Sequence, residues 1–197
     1  MGDFYENFYN TPWKLEMMFE WSWKYCDFEF LLKVDDDSFI NMGNVFNFIQ
    51  HLGDHPRGVY VGRTGFTLTN RGGKYGLTCD EYTSATTPKF VAGGAVLFSR
   101  DVVGGMIPHF LEHPLKLEDV YVAYLALNIG VHAQDSKLFH HSEGECKYND
   151  TAISLHYWYL TAMNEIECME HNFKTMLAKN TRRTFVGRHY KDNDTLV

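Results

Sequence analysis

Three short apolar runs, FEFLLKV at 28–34, GVYVGR at 58–63 and FVAGGAVLFS at 90–99, alternate with segments of helical periodicity. That alternation constrains the fold more than any single residue does. Strands separated by helices assemble into a layered α/β domain, with a largely parallel sheet as the expectation. Thr11 followed by Pro12 offers a capping hydroxyl and a proline at the first helical position, and Leu15, Met18, Phe19, Ser22 and Cys26 then recur at helical spacing. Asn41 predicts the cap of a second helix through NMGNVFNFIQHLG, with Gly53 as its stop. RDVVGGMIPHFL and LEDVYVAYLALNIG predict two more, the second ended by Gly130, and HYWYLTAMNEIECMEHNF predicts a last long one. The polar, Gly/Thr-rich stretch 64–88 reads as a long loop, and residues 179–197 read as a mobile tail. Gly93-Gly94 interrupts the third apolar run, which marks either a close backbone approach or a bulge or tight bend.

With 197 residues, 45% of them hydrophobic and 16% aromatic, there is material for one domain with a real core. A net charge of −7 argues against a nucleic-acid surface, which needs a basic stripe. No apolar run reaches the roughly 18 residues of a membrane span, and the opening MGDFYENFYNTPW has no apolar core of a signal peptide. Glu6 stands where a myristoylation motif wants Ser or Thr. The cysteines at 26, 79, 146 and 168 contain no CxxC pair, which argues against a zinc knuckle, and they leave the disulfide connectivity open. Asn149 and Asn193 each open an NDT sequon; such sequons weigh little alone, but with the even cysteine count they lean slightly towards a secretory compartment.

Chemistry concentrates at KVDDDSF, residues 33–39, where three aspartates follow the first strand. Successive side chains of a strand point to opposite faces, so Asp35 and Asp37 are expected to share one face while Asp36 points away. Two carboxylates aimed at one point are costly without a cation between them, and hard divalent ions take oxygen ligands and commonly hold phosphates. Ligands of α/β sheets collect beyond the carboxyl ends of the strands, where these residues lie. An exposed acidic turn is the plain alternative. An EF-hand loop fails, because Ile40 and Phe46 occupy the positions of its glycine and glutamate. A Mg2+-dependent phosphatase with Asp35 as nucleophile is a further alternative, although Phe39 stands where that signature wants Thr or Val.

Several ordered segments resemble the β1,3-galactosyltransferase family, glycosyltransferase family 31. KVDDDSFIN resembles its D-x-D region, GDFYENFYNTPWKLEMMFEWSWKYC its D-F-x-D-x-Y-x-N-L-T-x-K segment with the following W-x-x-x-C, and YVGR its Y-x-G. PKFVAGGAVLFSRDV, LKLEDVYVAYLALNIGV and CKYNDTAISLH resemble the G-G, E-D-V and late Cys-to-His segments in the same order. The resemblance implies a GT-A fold, an α/β domain over residues 1–178 with a mostly parallel central sheet flanked by helices and the first βα units missing. It implies an inverting, Mn2+-dependent hexosyltransferase that moves galactose from UDP-galactose, or a related UDP-sugar, to a glycan acceptor on a glycoprotein or glycolipid.

Carried over residue by residue, Asp37 is expected to ligate Mn2+, with Asp35 near the metal or ribose and Asp36 beside the donor sugar. His156 is expected as a second protein ligand, although a lone histidine before an aromatic run is otherwise a surface or core residue. Asp119 is expected as the base that takes the acceptor hydroxyl proton, and its place at the start of a helix favours an ionised carboxylate. Glu118 is grouped with the donor-binding residues, and Gly93 and Gly94 are expected to let backbone approach a bound sugar. The bland alternative for Glu118 and Asp119 is a pair of first-turn helix acids.

Val91 stands where the family has a cysteine, and Ala123-Tyr124 where it has Gly-Cys, which reads as one disulfide lost whole; Cys26 and Cys146 keep family positions. His140 and His141 cannot both face one site from a strand, and no role falls to them or to His132. Family members also carry a cytoplasmic tail, a signal anchor and a stem ahead of this region, so the resemblance implies a lumenal Golgi protein whose anchor is not in this chain. A catalytically inactive GT-A-like domain that binds glycans is the rival expectation.

Overall fold

The computed structural model of the chain describes residue 5 and residues 7–65, 67–141, 146–157 and 162–189. A 3-10 turn at Phe8–Asn10 leads into α1 (Thr11–Tyr25), β1 (Phe30–Val34), β2 (Ser38–Ile40), α2 (Met42–His51), β3 (Tyr60–Thr64) and β4 (Val91–Ser99). There follow α3 (Arg100–Met106), α4 (Glu118–Asn128), β5 (Gln134–Asp135), β6 (Phe139–His140), β7 (Ser154–His156) and α5 (Ala162–His189).

The expected helices form with local differences. Thr11 does not cap α1: the Asn7 side chain accepts from the backbone N–H groups of Tyr9 and Asn10, at 2.8 and 3.1 Å, and Thr11 donates its hydroxyl to the Phe8 carbonyl. The chain enters α1 from a 3-10 turn that Asn7 caps, so Thr11 lies inside a continuous helical run and its hydroxyl bonds backwards. Asn41 does cap α2, accepting from Asn44 N–H at 3.3 Å, and Gly53 follows it at φ +87°. The segment from Arg100 divides into α3 and a 3-10 turn at Ile107–His109, where Pro108 has no N–H to continue an α-helix. The last helix runs well past its expected end at Phe173, so the boundary expected at residue 178 falls inside it. Residues 190–197, with the second sequon, lie outside the described residues, as do residues 1–4 and 6 of the opening motif.

β4 is the axis of the molecule. All nine of its residues are buried, between β1 on one side and β3 on the other, and β5 closes the edge beyond β3. Both flanking strands run antiparallel to β4, and only β5 pairs in parallel, with β3. The expected mostly parallel sheet is therefore corrected to a mixed one. The helical crossover does return β3 in the same direction as β1, as alternation requires. The long loop after β3 then lets β4 come back between them in the opposite direction.

The two faces of this sheet carry separate cores. Val96 and Phe98 pack with Leu15 and Phe19 of α1, Val102 and Met106 of α3 and Tyr121 and Leu125 of α4. Ala95 and Leu97 face the other way, towards Val45 of α2 and Phe139 and Ile153. A side chain buried as fully as Phe98 or Leu97 stabilises the fold by about 1.5–3 kcal/mol. Alternation breaks upstream: Val91 joins the same cluster as Val96, from which strict period-2 parity would exclude it. The β3–β4 register slips between Gly62 and Thr64, so Gly93-Gly94 lies in a bulge, one of its two expected readings.

A second small sheet, ordered β2-β7-β6, pairs β2 antiparallel and β6 parallel with β7. Phe39, Leu155, Tyr157 and Cys168 form its core, and a Cys146–Cys168 disulfide ties the segment before β7 to α5. Cys26 and Cys79 are free. Among the described residues no helix is long and apolar enough to cross a membrane.

Candidate active site

The first strand stops at Val34, and Asp35–Asp37 form a turn in which Ser38 N–H donates to the Asp35 carbonyl at 3.2 Å. The turn, and not strand alternation, brings Asp35 and Asp37 together. Asp36 is exposed and stands outside the group they form.

His156 arrives through sheet register. β2 and β7 pair so that Ser38 lies opposite His156, which sets the imidazole beside the neighbouring Asp37. Nε2 of His156 is 3.0 Å from Asp37 Oδ1, and one ligand atom from each of Asp35, Asp37 and His156 falls within a common 4.8 Å span. Although that separation is within ion-pair range, Asp37 Oδ1 is buried and, among the described residues, accepts no hydrogen bond of good geometry. Ser38 Oγ, directly after the turn, is buried without a hydrogen-bond partner among the described residues. A buried carboxylate oxygen left unsatisfied is costly, and a cation removes the cost. Two carboxylates and an imidazole are donors that Mn2+ accepts, so the residues present fit a divalent ion.

A second group lies across β4. The Lys33 ammonium, on a side chain 12% exposed, donates to Asp35 Oδ1 at 2.7 Å and to the Gly93 carbonyl at 3.1 Å, and it is 2.8 Å from Glu118 Oε1. Burial pulls this lysine down, but Glu118, Asp35 and Asp119 outweigh it and hold the ammonium above its ordinary range. The aspartate turn is thus not without an internal counter-charge, which the strand-tip picture overlooked.

Asp119 sits in the first turn of α4. Burial pushes its carboxyl up to about 7 against the pull of Lys33, with Glu118 and Asp35 adding to the rise and a hydrogen bond from Gly93 N–H opposing it. A carboxylate tuned close to neutrality is suited to taking up a proton.

The two glycines of the bulge separate these groups. A Cβ on Gly93 would stand 2.9 Å from Asp119 Oδ1, 3.2 Å from Asp35 Oδ2 and 3.3 Å from Lys33 Nζ. A Cβ on Gly94 would stand 2.8 Å from His156 Cγ and 2.9 Å from its Cβ and Nδ1. Close approach, the other expected reading of the pair, therefore holds as well, but here it is to protein side chains.

His141, to which the sequence assigned nothing, belongs to the site. Its Nδ1 lies 2.9 Å from His156 Nδ1, and burial, then His156, lowers it to about 4. The two adjacent histidines do diverge: His140 Nε2 is 3.3 Å from the Asn149 amide nitrogen. The β6–β7 pairing of His140 with Leu155, carried one residue further, sets His141 against His156. No local spacing announces a contact made by strand register.

The profile described as galactosyltransferase matches residues 1–137. The chain is 31% identical over 154 residues, 75% of its length, to a human (Homo sapiens) lactosylceramide 1,3-N-acetyl-beta-D-glucosaminyltransferase, of which it covers 40%. Its identity to the mouse (Mus musculus) protein of the same name is 29% over 154 residues, covering 75% of the chain and 41% of the relative. It is also 30% identical over 135 residues to human (Homo sapiens) beta-1,3-galactosyltransferase 9, which covers 66% of the chain and 37% of that protein. The chain thus spans about two fifths of the length of the curated relatives it matches. The mixed α/β sheets fit a glycosyltransferase fold.

Proposed function

Since this chain belongs to the galactosyltransferase family, we propose that its site serves an inverting β1,3-hexosyltransferase of GT-A type that draws on a UDP-sugar. The observation that carries the reading is the convergence of Asp35, Asp37 and His156 on one point, with Asp119 across the glycine pair. Asp35, Asp37 and His156 would hold Mn2+. When bound, that ion supplies Lewis-acid stabilisation of the charge that builds on the departing diphosphate. Asp119 takes the proton of the acceptor hydroxyl. Lys33 keeps Asp35 and Glu118 in place, and Gly93 keeps the space beside Asp119 free of a side chain. Asp36, exposed at the turn, is available to the donor sugar, and Glu118 acts on the site through Lys33, 2.8 Å away.

The donor sugar follows from the relatives by analogy. Their names include both an N-acetylglucosaminyl and a galactosyl transfer, each with a 1,3 linkage. UDP-galactose and UDP-N-acetylglucosamine are therefore the two donors to compare, with a glycan on a glycoprotein or glycolipid as acceptor and the Golgi lumen as the setting. The test is Mn2+-dependent hydrolysis or transfer with each donor, against Asp37→Ala and Asp119→Ala. The reading expects loss with both substitutions, of at least about 100-fold for the base variant. Turnover indifferent to both overturns it. Calorimetry that finds no metal-linked UDP binding favours the inactive glycan-binding domain.

A further inference from the structure

The Asp37–His156–His141 row continues beyond the atoms that face the turn. His156, 7% exposed, presents Nε2 to Asp37 at 3.0 Å and Nδ1 to His141 Nδ1 at 2.9 Å. Two imidazole nitrogens at that separation share one proton, because two N–H groups or two lone pairs would repel. Two orders are open. If His141 donates, a neutral His156 carries its own proton on Nε2, 3.0 Å from Asp37 Oδ1. That proton occupies the ring nitrogen nearest the aspartates, so in this order Nε2 cannot act as a ligand beside the unsatisfied Asp37 Oδ1. If His156 donates from Nδ1, its Nε2 lone pair points towards the aspartates, and the ring is already in the tautomer a ligand needs.

We infer that His141 is a positioning residue that accepts the His156 Nδ1 proton and so holds the Nε2 lone pair towards Asp35 and Asp37. The inference rests on the reading of Asp35, Asp37 and His156 as a metal site. Partners of this kind fix ring orientation and tautomer together, and their loss commonly weakens metal affinity. His141 is placed for the task by strand pairing, since the segments of His140 and Leu155 run in parallel register. His140 itself turns to Asn149.

The experiment compares the wild-type chain with His141→Ala, His141→Gln and His156→Ala. Two readouts are used: histidine 15N chemical shifts without metal, and Mn2+ affinity from the resonance signal of the free ion. The wild type should show His156 protonated on Nδ1, and His141→Ala should move that proton towards Nε2. His141→Ala should also weaken Mn2+ binding about 10- to 100-fold. His141→Gln, whose carbonyl can accept the same hydrogen bond, should retain the Nδ1 proton and most of the affinity. Circular dichroism confirms that each variant is folded. A wild-type His156 without a proton on Nδ1 overturns the inference, whatever the metal does. If His156→Ala loses Mn2+ and His141→Ala binds it as the wild type does, the inference fails while the metal-site reading stands. If His156→Ala and the wild type bind Mn2+ alike, the metal-site reading fails, and the tautomer shifts alone decide the role of His141.

Discussion

Replacing Gly94 with alanine tests the geometry of the site through one methyl group. The added Cβ would meet His156 Cγ at 2.8 Å and its Cβ and Nδ1 at 2.9 Å, whereas carbon atoms at rest lie about 3.5–4.0 Å apart. The imidazole must retreat by roughly 0.7–1 Å, or the bulge must open by that amount. Neither is easy. His156 is buried on a strand paired with β2, and Gly94 O already accepts from Asp35 N–H at 3.3 Å. Overpacking of this kind costs about 1–3 kcal/mol. For a chain of this length that lowers the melting temperature by about 2–12 °C. A ring displaced by 1 Å also leaves its 3.0 Å approach to Asp37, so Mn2+ binding and any dependent turnover should fall by about 100-fold. The decisive assay is a double-mutant cycle with His156→Ala, followed by thermal melts. Removing the ring vacates the space, so Gly94→Ala should cost little in that background, a coupling of about 0.5–3 kcal/mol. An equal loss of stability with and without His156 would refute the steric account, as would a Gly94→Ala protein that melts and binds Mn2+ like the wild type.

Lys33→Met should destabilise the fold by about 3–5 kcal/mol, because it leaves Asp35 and Glu118 without the ammonium that bridges them at 2.7 and 2.8 Å. Urea unfolding checks this, and Glu118→Gln added to Lys33→Met should recover part of the loss. Opening the Cys146–Cys168 bridge, which spans 22 residues, should cost about 3.4 kcal/mol by loop entropy, measured as denaturation of Cys146→Ser/Cys168→Ser against the oxidised chain. Burial raises Glu16 above 4.5, although it accepts a hydrogen bond from Tyr121 that opposes the rise. With the folded value above the unfolded one, its contribution to stability is complete below about pH 4.5 and is lost as pH rises through the raised folded value. Glu16→Gln should therefore flatten the melting temperature across that window and gain on the wild type above it; parallel curves would contradict this.

Local patterns carried much of the fold. The apolar runs at 28–34, 58–63 and 90–99 became β1, β3 and β4, and Asn41 and Gly53 bound α2 as their chemistry demands, since caps and left-handed stops act within a few residues. The aspartates, Asp119 and His156 were legible only because their segments match a family in order; as bare letters, each had an ordinary alternative. Strand direction was not legible. A helical crossover dictates that β3 runs with β1, but nothing in the letters says that β4 will return between them.

What the sequence alone determined is the inventory: which segments are apolar enough to be buried, which segments are helical, and a concentration of carboxylates after the first strand. Tertiary structure decided which of those groups meet. Lys33 neutralises Asp35 because its side chain runs under Gly93, and Asp119 reaches the same space from another helix. His141 meets His156 because two strands pair in parallel register across a separation of 15 residues. Helix propensity and capping act over a few residues, whereas strand register and the charge balance of a buried site depend on segments that only the folded chain brings within a few ångströms.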